Sequence, residues 1–141
     1  MLRINYWAVV VGAVIFFAVG GLWYSPLMFS KIWMRGLGLT ESDIKEGHFN
    51  MWLALSASAF ASSARAAALA WLFSTLALPS VLRAAVIGGA AALAFGFTPM
   101  LRDRVWANRP WPVILVDAGY ECAGGAAAGA IIALMLAGRF A

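Results

Sequence analysis

The chain has 141 residues, 64% of them hydrophobic and 11% charged, with a formal net charge of +4 and a mean hydropathy of +0.87. A soluble domain carries about 25% charged residues, so this chain cannot cover a water-facing surface, and the missing polar skin is lipid. The composition excludes a separate soluble domain, and Lys and Arg lie mostly at the ends of apolar segments, where they set topology and meet anionic headgroups rather than nucleic acid.

A bilayer core takes about 20 apolar residues per helix. The length therefore allows about four spans in one domain covering 1–141, and the expected fold is an all-α four-helix transmembrane bundle. The first span is expected over about 6–29. It has no charge between Arg3 and Lys31, and aromatic residues mark both its ends: Tyr6 and Trp7, then Trp23 and Tyr24. That is the aromatic-belt pattern of a crossing helix, and Pro26 ends or kinks it. A signal peptide with Ala18-Val19-Gly20 as its cleavage site is the competing reading. The apolar run is too long for a simple one, and the segment is expected to be retained.

The loop from Ser30 to Asn50 follows. Thr40-Glu41-Ser42-Asp43 has the capping-box pattern that opens a helix, and Gly47 is placed to close it. Trp33, Met34 and Leu37 are mixed with Lys31 and Arg35. Short amphipathic helices on the membrane surface fit this composition, and so does a solvated connector with one helical turn. The later spans are expected over about 51–78, 82–101 and 111–137. Pro79-Ser80 marks a tight turn, which makes the second and third spans antiparallel neighbours. Pro99 falls near the end of the third.

Basic residues in the long loops are Lys31, Arg35, Lys45, Arg102, Arg104 and Arg109, against Arg3, Arg83 and Arg139 on the other side. The positive-inside rule then places both long loops in the cytoplasm and both termini outside. The expected location is a cytoplasmic membrane.

Hydrophobicity cannot hold helices together in lipid, so small residues that permit close backbone approach must do so. Span four carries Gly125 and Gly129 at GxxxG spacing beside Gly124 and Ala128. Span three carries Ala84, Gly88, Ala92 and Gly96 at successive i+4 positions. These faces meet either a partner span or a second subunit, and packing within the chain is the simpler reading.

Three ionisable residues fall inside the spans: Arg65, Asp117 and Glu121. A charge carried into hydrocarbon costs roughly 2.5–3.5 kcal/mol on insertion scales, so each needs a partner. Asp117 and Glu121 are four apart and share a helix face that Gly125 and Gly129 continue. Ser58, Ser62 and Arg65 form a matching polar stripe on span two. At 1.5 Å per residue, Arg65 lies roughly 20 Å along its span, Glu121 roughly 15 Å and Asp117 roughly 9 Å. Helical side chains lean toward the N-terminus, so Arg65 is expected to pair with Glu121. Asp117 is left to meet Arg102, Arg104, Arg109 or water. A purely structural pair locks the bundle register. A functional one makes the acids a proton or cation site with Arg65 as counter-ion.

Catalysis is not expected. Cys122 and His48 are each the sole residue of their type and lie far apart in sequence, so they give no metal-ligand spacing, and no phosphate-loop motif is present. No cofactor is implied.

The stretch from Leu22 to Trp33, Leu-Trp-Tyr-Ser-Pro-Leu-Met-Phe-Ser-Lys-Ile-Trp, resembles the opening motif of the "domain of unknown function 1761" family of bacterial membrane proteins. Gly38 to Asp43 is similar to that family too, as is Asn108-Arg109-Pro110 leading into Asp117-Ala118-Gly119-Tyr120-Glu121. The resemblance implies a small polytopic membrane protein of a bacterium, and no activity. It also implies that Asn and His tend to stand around the Gly-Tyr pair, where this chain has Asp117 and Glu121. Polar character at these depths thus outlasts a fixed carboxylate. The reading favoured at this level is an accessory, scaffold or packing subunit in the lipid bilayer, as a homo-oligomer or part of a larger membrane complex. The alternative is a homo-oligomeric transporter or ion conductor using Arg65, Asp117 and Glu121.

Overall fold

The computed structural model describes residues 5–46, 50–76 and 80–138. Arg3, Gly47, His48, Leu78, Pro79 and Arg139 lie outside the described residues, so the closing of the loop helix at Gly47 and the turn at Pro79 do too. The described residues form helices in the order α1 (Tyr6–Trp23), α2 (Ser30–Leu37), α3 (Glu41–Lys45), α4 (Met51–Thr75), α5 (Val81–Trp106) and α6 (Trp111–Leu136). The bundle is all-α, and α1, α4, α5 and α6 are each long and apolar enough to cross a bilayer.

Polar side chains cap the starts of α1, α4 and α5. The Asn5 side chain accepts from the Ala8 amide at 3.2 Å, and Asn50 accepts from Leu53 at 2.9 Å. Each satisfies one of the amides that a helix start leaves unpaired. α1 stops at Trp23 rather than running on to Phe29, as the sequence suggested. Pro26 has no amide hydrogen and pushes Ser25 out of helical geometry, and tight turns carry the chain from Tyr24 to Phe29. α5 runs the other way, past the expected end at Leu101 to Trp106, with Pro99 inside it. Arg102, Asp103 and Arg104 extend it as a polar turn, because a helix need not end where its apolar stretch does.

The surface loop is helical at both of its candidate segments. α2 ends on Gly38 at φ 69°, the left-handed cap that glycine adopts without strain. α3 opens with the Thr40/Asp43 capping box.

α6 is the hub. It packs against α5 on one side and against α1 and α4 on the other, and α2 crosses its N-terminal end. The antiparallel α5–α6 seam is a zipper of small residues. Gly125 lies against the Gly88 carbonyl and the Ala92 methyl, Gly129 lies against Ala84, and Gly96 leaves room for the Glu121 side chain. Both predicted small-residue faces are therefore used within the chain. On the opposite side, Phe16, Ala66, Phe73, Ala128 and Ile132 form a fully buried core between α1, α4 and α6. Val14, Phe60, Val86, Phe95 and Leu115 point outward, the orientation expected of lipid-facing side chains.

One expected adjacency is absent. α4 and α5 scarcely touch, although a short link joins them. α5 is drawn onto α6 by the glycine stripe, where backbones approach closely, and the Ala- and Ser-rich stretch of α4 around Ala57 to Ala68 makes no comparable seam with α5. The seam between α4 and α5 is left open.

Candidate functional site

α6 carries Asp117 and Glu121 one turn apart and both buried. Each acid meets a cation from a different part of the chain. For Glu121 the partner is Arg65, whose Nη2 lies 2.5 Å from Oε1. For Asp117 it is Arg109, in the link before α6, whose Nη2 lies 2.7 Å from Oδ2. Two cations and two carboxylates leave this polar cluster formally neutral, the condition under which charge is tolerated in a low-dielectric interior. Arg102 and Arg104, the other candidates for Asp117, bind Asp103 and Asn108 instead.

The acids differ in how fully they are satisfied. Asp117 Oδ1 also accepts the Tyr24 hydroxyl at 2.7 Å and the Trp33 indole N–H at 3.0 Å. These donors come from the end of α1 and from α2. Trp23 adds a further anchor, donating its indole N–H to the Val116 carbonyl at 2.9 Å. Among the described residues Glu121 has only Arg65, and its Oε2 is buried with no hydrogen-bond donor there.

Aromatic rings join the two acid centres. Tyr24 packs edge-on against both Trp33 and Tyr120, with centroids 5.5 and 5.4 Å apart, and Tyr120 meets Phe16 in the same way at 5.4 Å. The Arg65 guanidinium sits over the Phe16 ring, 5.3 Å from its centroid, a favourable cation–π placement. Ser62 is fully buried beside Tyr120, but its hydroxyl has no well-formed hydrogen bond. Ser58 stays exposed and takes no part in the ion pair.

This cluster forms the inner end of a cavity of about 770 Å³. Trp33, Met34 and Leu37 of α2, with Leu39 and Ile44 beyond it, contribute at the loop end. Leu55, Ser58 and Ala61 of α4 form one wall, and Met100 of α5 faces the cavity across the open α4–α5 seam. Phe17, Gly20 and Gly21 line it from α1. The size falls in the range of small-molecule sites, roughly 300–1,000 Å³, and the mixture is typical of them: apolar walls with a few convergent polar groups. Within it Arg65 is the accessible charge, with 34% of its side chain exposed against 5% for Glu121. Only one of its five N–H donors serves Glu121.

The structure thus brings together Arg65, Glu121, Asp117 and Ser62, and puts Ser58 on the cavity wall. It assigns Gly88, Gly96, Gly125 and Gly129 to the α5–α6 seam. Sequence reasoning missed Tyr24, Trp33 and Tyr120 as members of the site. Tyr24 and Trp33 were legible only as belt and surface-loop aromatics, because no helical spacing connects them to α6. Tyr120 lies between the two acids in sequence and was open to notice on that ground. Among the described residues, no three His, Cys, Asp or Glu side chains gather where a metal ion could be held.

No curated protein and no solved structure matches the chain. Residues 7–133 match the family described as "Protein of unknown function (DUF1761)", and the chain belongs to that family.

Proposed function

We propose that this DUF1761 protein is a non-enzymatic membrane protein that holds a small amphipathic molecule in the cavity between its surface loop and the Arg65–Glu121 pair. One observation carries the reading: a site of about 770 Å³ that is apolar along its walls and ends on Arg65, whose side chain is partly exposed. A pair that served only to fix helix register would need no accessible donors and no space in front of them. The open α4–α5 seam supports entry from the bilayer, which suits a ligand already dissolved in lipid.

The scaffold reading rests on unused packing faces. It is supported less well, because the glycine stripes of α5 and α6 are spent on each other. A homo-oligomeric conduit is not required either, since cavity and charges lie within one protomer.

The full chain, purified in mild detergent from its own membrane, should carry a bound amphiphile by native mass measurement. Ala61→Trp, which fills the α4 wall, should remove it. A chain that remains free of any bound molecule, even after incubation with total lipid extract, would end the proposal.

The setting proposed is a bacterial cytoplasmic membrane with the surface loop inside and both termini outside, following the loop basic residues. Alkaline phosphatase fused after the last residue should be active. An inactive fusion beside an active cytoplasmic reporter at the same position would reverse the orientation.

A further inference from the structure

We infer that the cavity is a receptor for a long-chain monocarboxylate, whose carboxylate binds Arg65 and whose alkyl chain lies along the α4 and α1 walls. This rests on the amphiphile-binding reading and names the head group that reading leaves open.

The sign of the charge comes first. Arg65 is the accessible charge at the inner end of the cavity, while Glu121 is enclosed behind it and Asp117 is saturated by Tyr24, Trp33 and Arg109. An incoming molecule therefore meets a cation. The Arg65 Cζ lies over the Phe16 ring, and a single N–H of the guanidinium serves Glu121, so donors along its planar edge remain for a second acceptor. A planar carboxylate matches that edge with two parallel hydrogen bonds.

Depth decides how large the head can be. Arg65 follows Met51, the first residue of α4, by fourteen positions, so it lies roughly 21 Å along the helix. A glycerophosphate head brought to that level would carry further polar groups away from water, among Phe17, Gly20 and Leu55. Each such group, left unpaired, costs free energy. A carboxylate is a compact anionic head with nothing polar behind it, and the walls leading to it are apolar.

Glu121 then acts as an internal competitor. It already holds one donor of Arg65 and keeps Oε2 without a partner, so a ligand carboxylate shares the guanidinium with a second anion. Removing the charge of Glu121 should strengthen carboxylate binding. A purely structural acid would not give that result.

The test uses the full chain in maltoside micelles, with palmitate, 1-hexadecanol and hexadecyl phosphate as probes in a competition assay. Palmitate should bind at least about tenfold more tightly than hexadecanol, the scale of one charge-assisted hydrogen-bonded contact. Glu121→Gln should tighten palmitate severalfold and leave hexadecanol unchanged. Arg65→Gln should bring palmitate down to the hexadecanol level. Should Arg65→Gln fail to fold, the Glu121→Gln comparison still decides. Equal binding of palmitate and hexadecanol by the unaltered chain overturns the carboxylate assignment and leaves the amphiphile reading standing. Tighter binding of hexadecyl phosphate than of palmitate overturns it as well. Absence of binding by all three probes overturns the carboxylate assignment, and the amphiphile reading falls with it only if the chain also takes up nothing from total lipid extract.

Discussion

The indole N–H of Trp33, on the surface helix α2, donates at 3.0 Å to the carboxylate of Asp117, buried in the central helix α6. The contact spans 84 positions of sequence and ties the loop end of the cavity to its polar floor. Beside it, the Val113 side chain occupies the space that Gly36 leaves open. α2 is thus docked on the bundle and does not merely float at an interface.

Trp33→Phe keeps the ring and removes the donor. Asp117 retains Tyr24 and Arg109, so the fold should survive with a loss of about 1 kcal/mol, the usual net worth of one hydrogen bond. The change should be local: amide exchange in α2 should rise while α6 stays protected. Unaltered exchange across Ser30–Leu37 would show that the indole contact does not hold the loop.

Two arginines at the loop end separate buried from surface electrostatics. Arg109 bonds Asp117 with 28% of its side chain exposed, whereas Arg102 bonds Asp103 with 68% exposed. Exposed pairs contribute about 0–1 kcal/mol, while removing one partner of an enclosed pair leaves the other charge uncompensated. Arg109→Met should lower stability in micelles by about 2 kcal/mol, and Arg102→Met by a few tenths at most. Equal effects in a denaturant titration would contradict the enclosure of Asp117.

The Arg65–Glu121 pair predicts non-additivity. Arg65→Met strands a carboxylate and Glu121→Gln strands a guanidinium, so each alone should cost about 1–3 kcal/mol. The double substitution should cost less than the two together, because neither charge is left behind. Strict additivity in the four-variant cycle would mean that the two groups do not interact in the folded chain.

Helix-level features were legible because they depend on local periodicity. The four spans, the capping box at Thr40 and the shared face of Asp117 and Glu121 all follow from spacing along one segment. Depth arithmetic placed Arg65 at the level of Glu121 because α4 and α6 both start from the same side. What was not legible is lateral arrangement. The tight link suggested that α4 and α5 pack together, yet glycine complementarity sends α5 to α6. The roles of Tyr24 and Trp33 were hidden for the same reason: their partner lies on a helix to which no sequence spacing connects them. The cavity is a consequence of both. It exists because α5 stands away from α4 and because α2 folds back toward α6.

The α5–α6 seam offers the sharpest test of how the bundle coheres. In lipid these helices gain little from burying apolar surface, so dispersion between closely spaced backbones has to supply the attraction. At Gly125 an added methyl would collide with the Gly88 carbonyl and would lie 2.5 Å from the Ala92 methyl. The obstacles are a backbone atom and a side chain with no rotatable bond, so the two helices would have to separate. Gly21 on α1 has nothing within 4 Å of the corresponding position, and there alanine should be neutral or slightly stabilising, because glycine is the poorer helix former by about 1 kcal/mol. Gly125→Ala is therefore expected to lower thermal stability in detergent by about 2 kcal/mol or more, and Gly21→Ala to leave it unchanged or raise it. Since α5 is attached to the rest of the bundle almost wholly through α6, the Gly125 substitution should also make α5 selectively sensitive to protease while α1 and α4 remain protected. Equal tolerance of the two alanines would mean that the glycine zipper does not hold α5 in place.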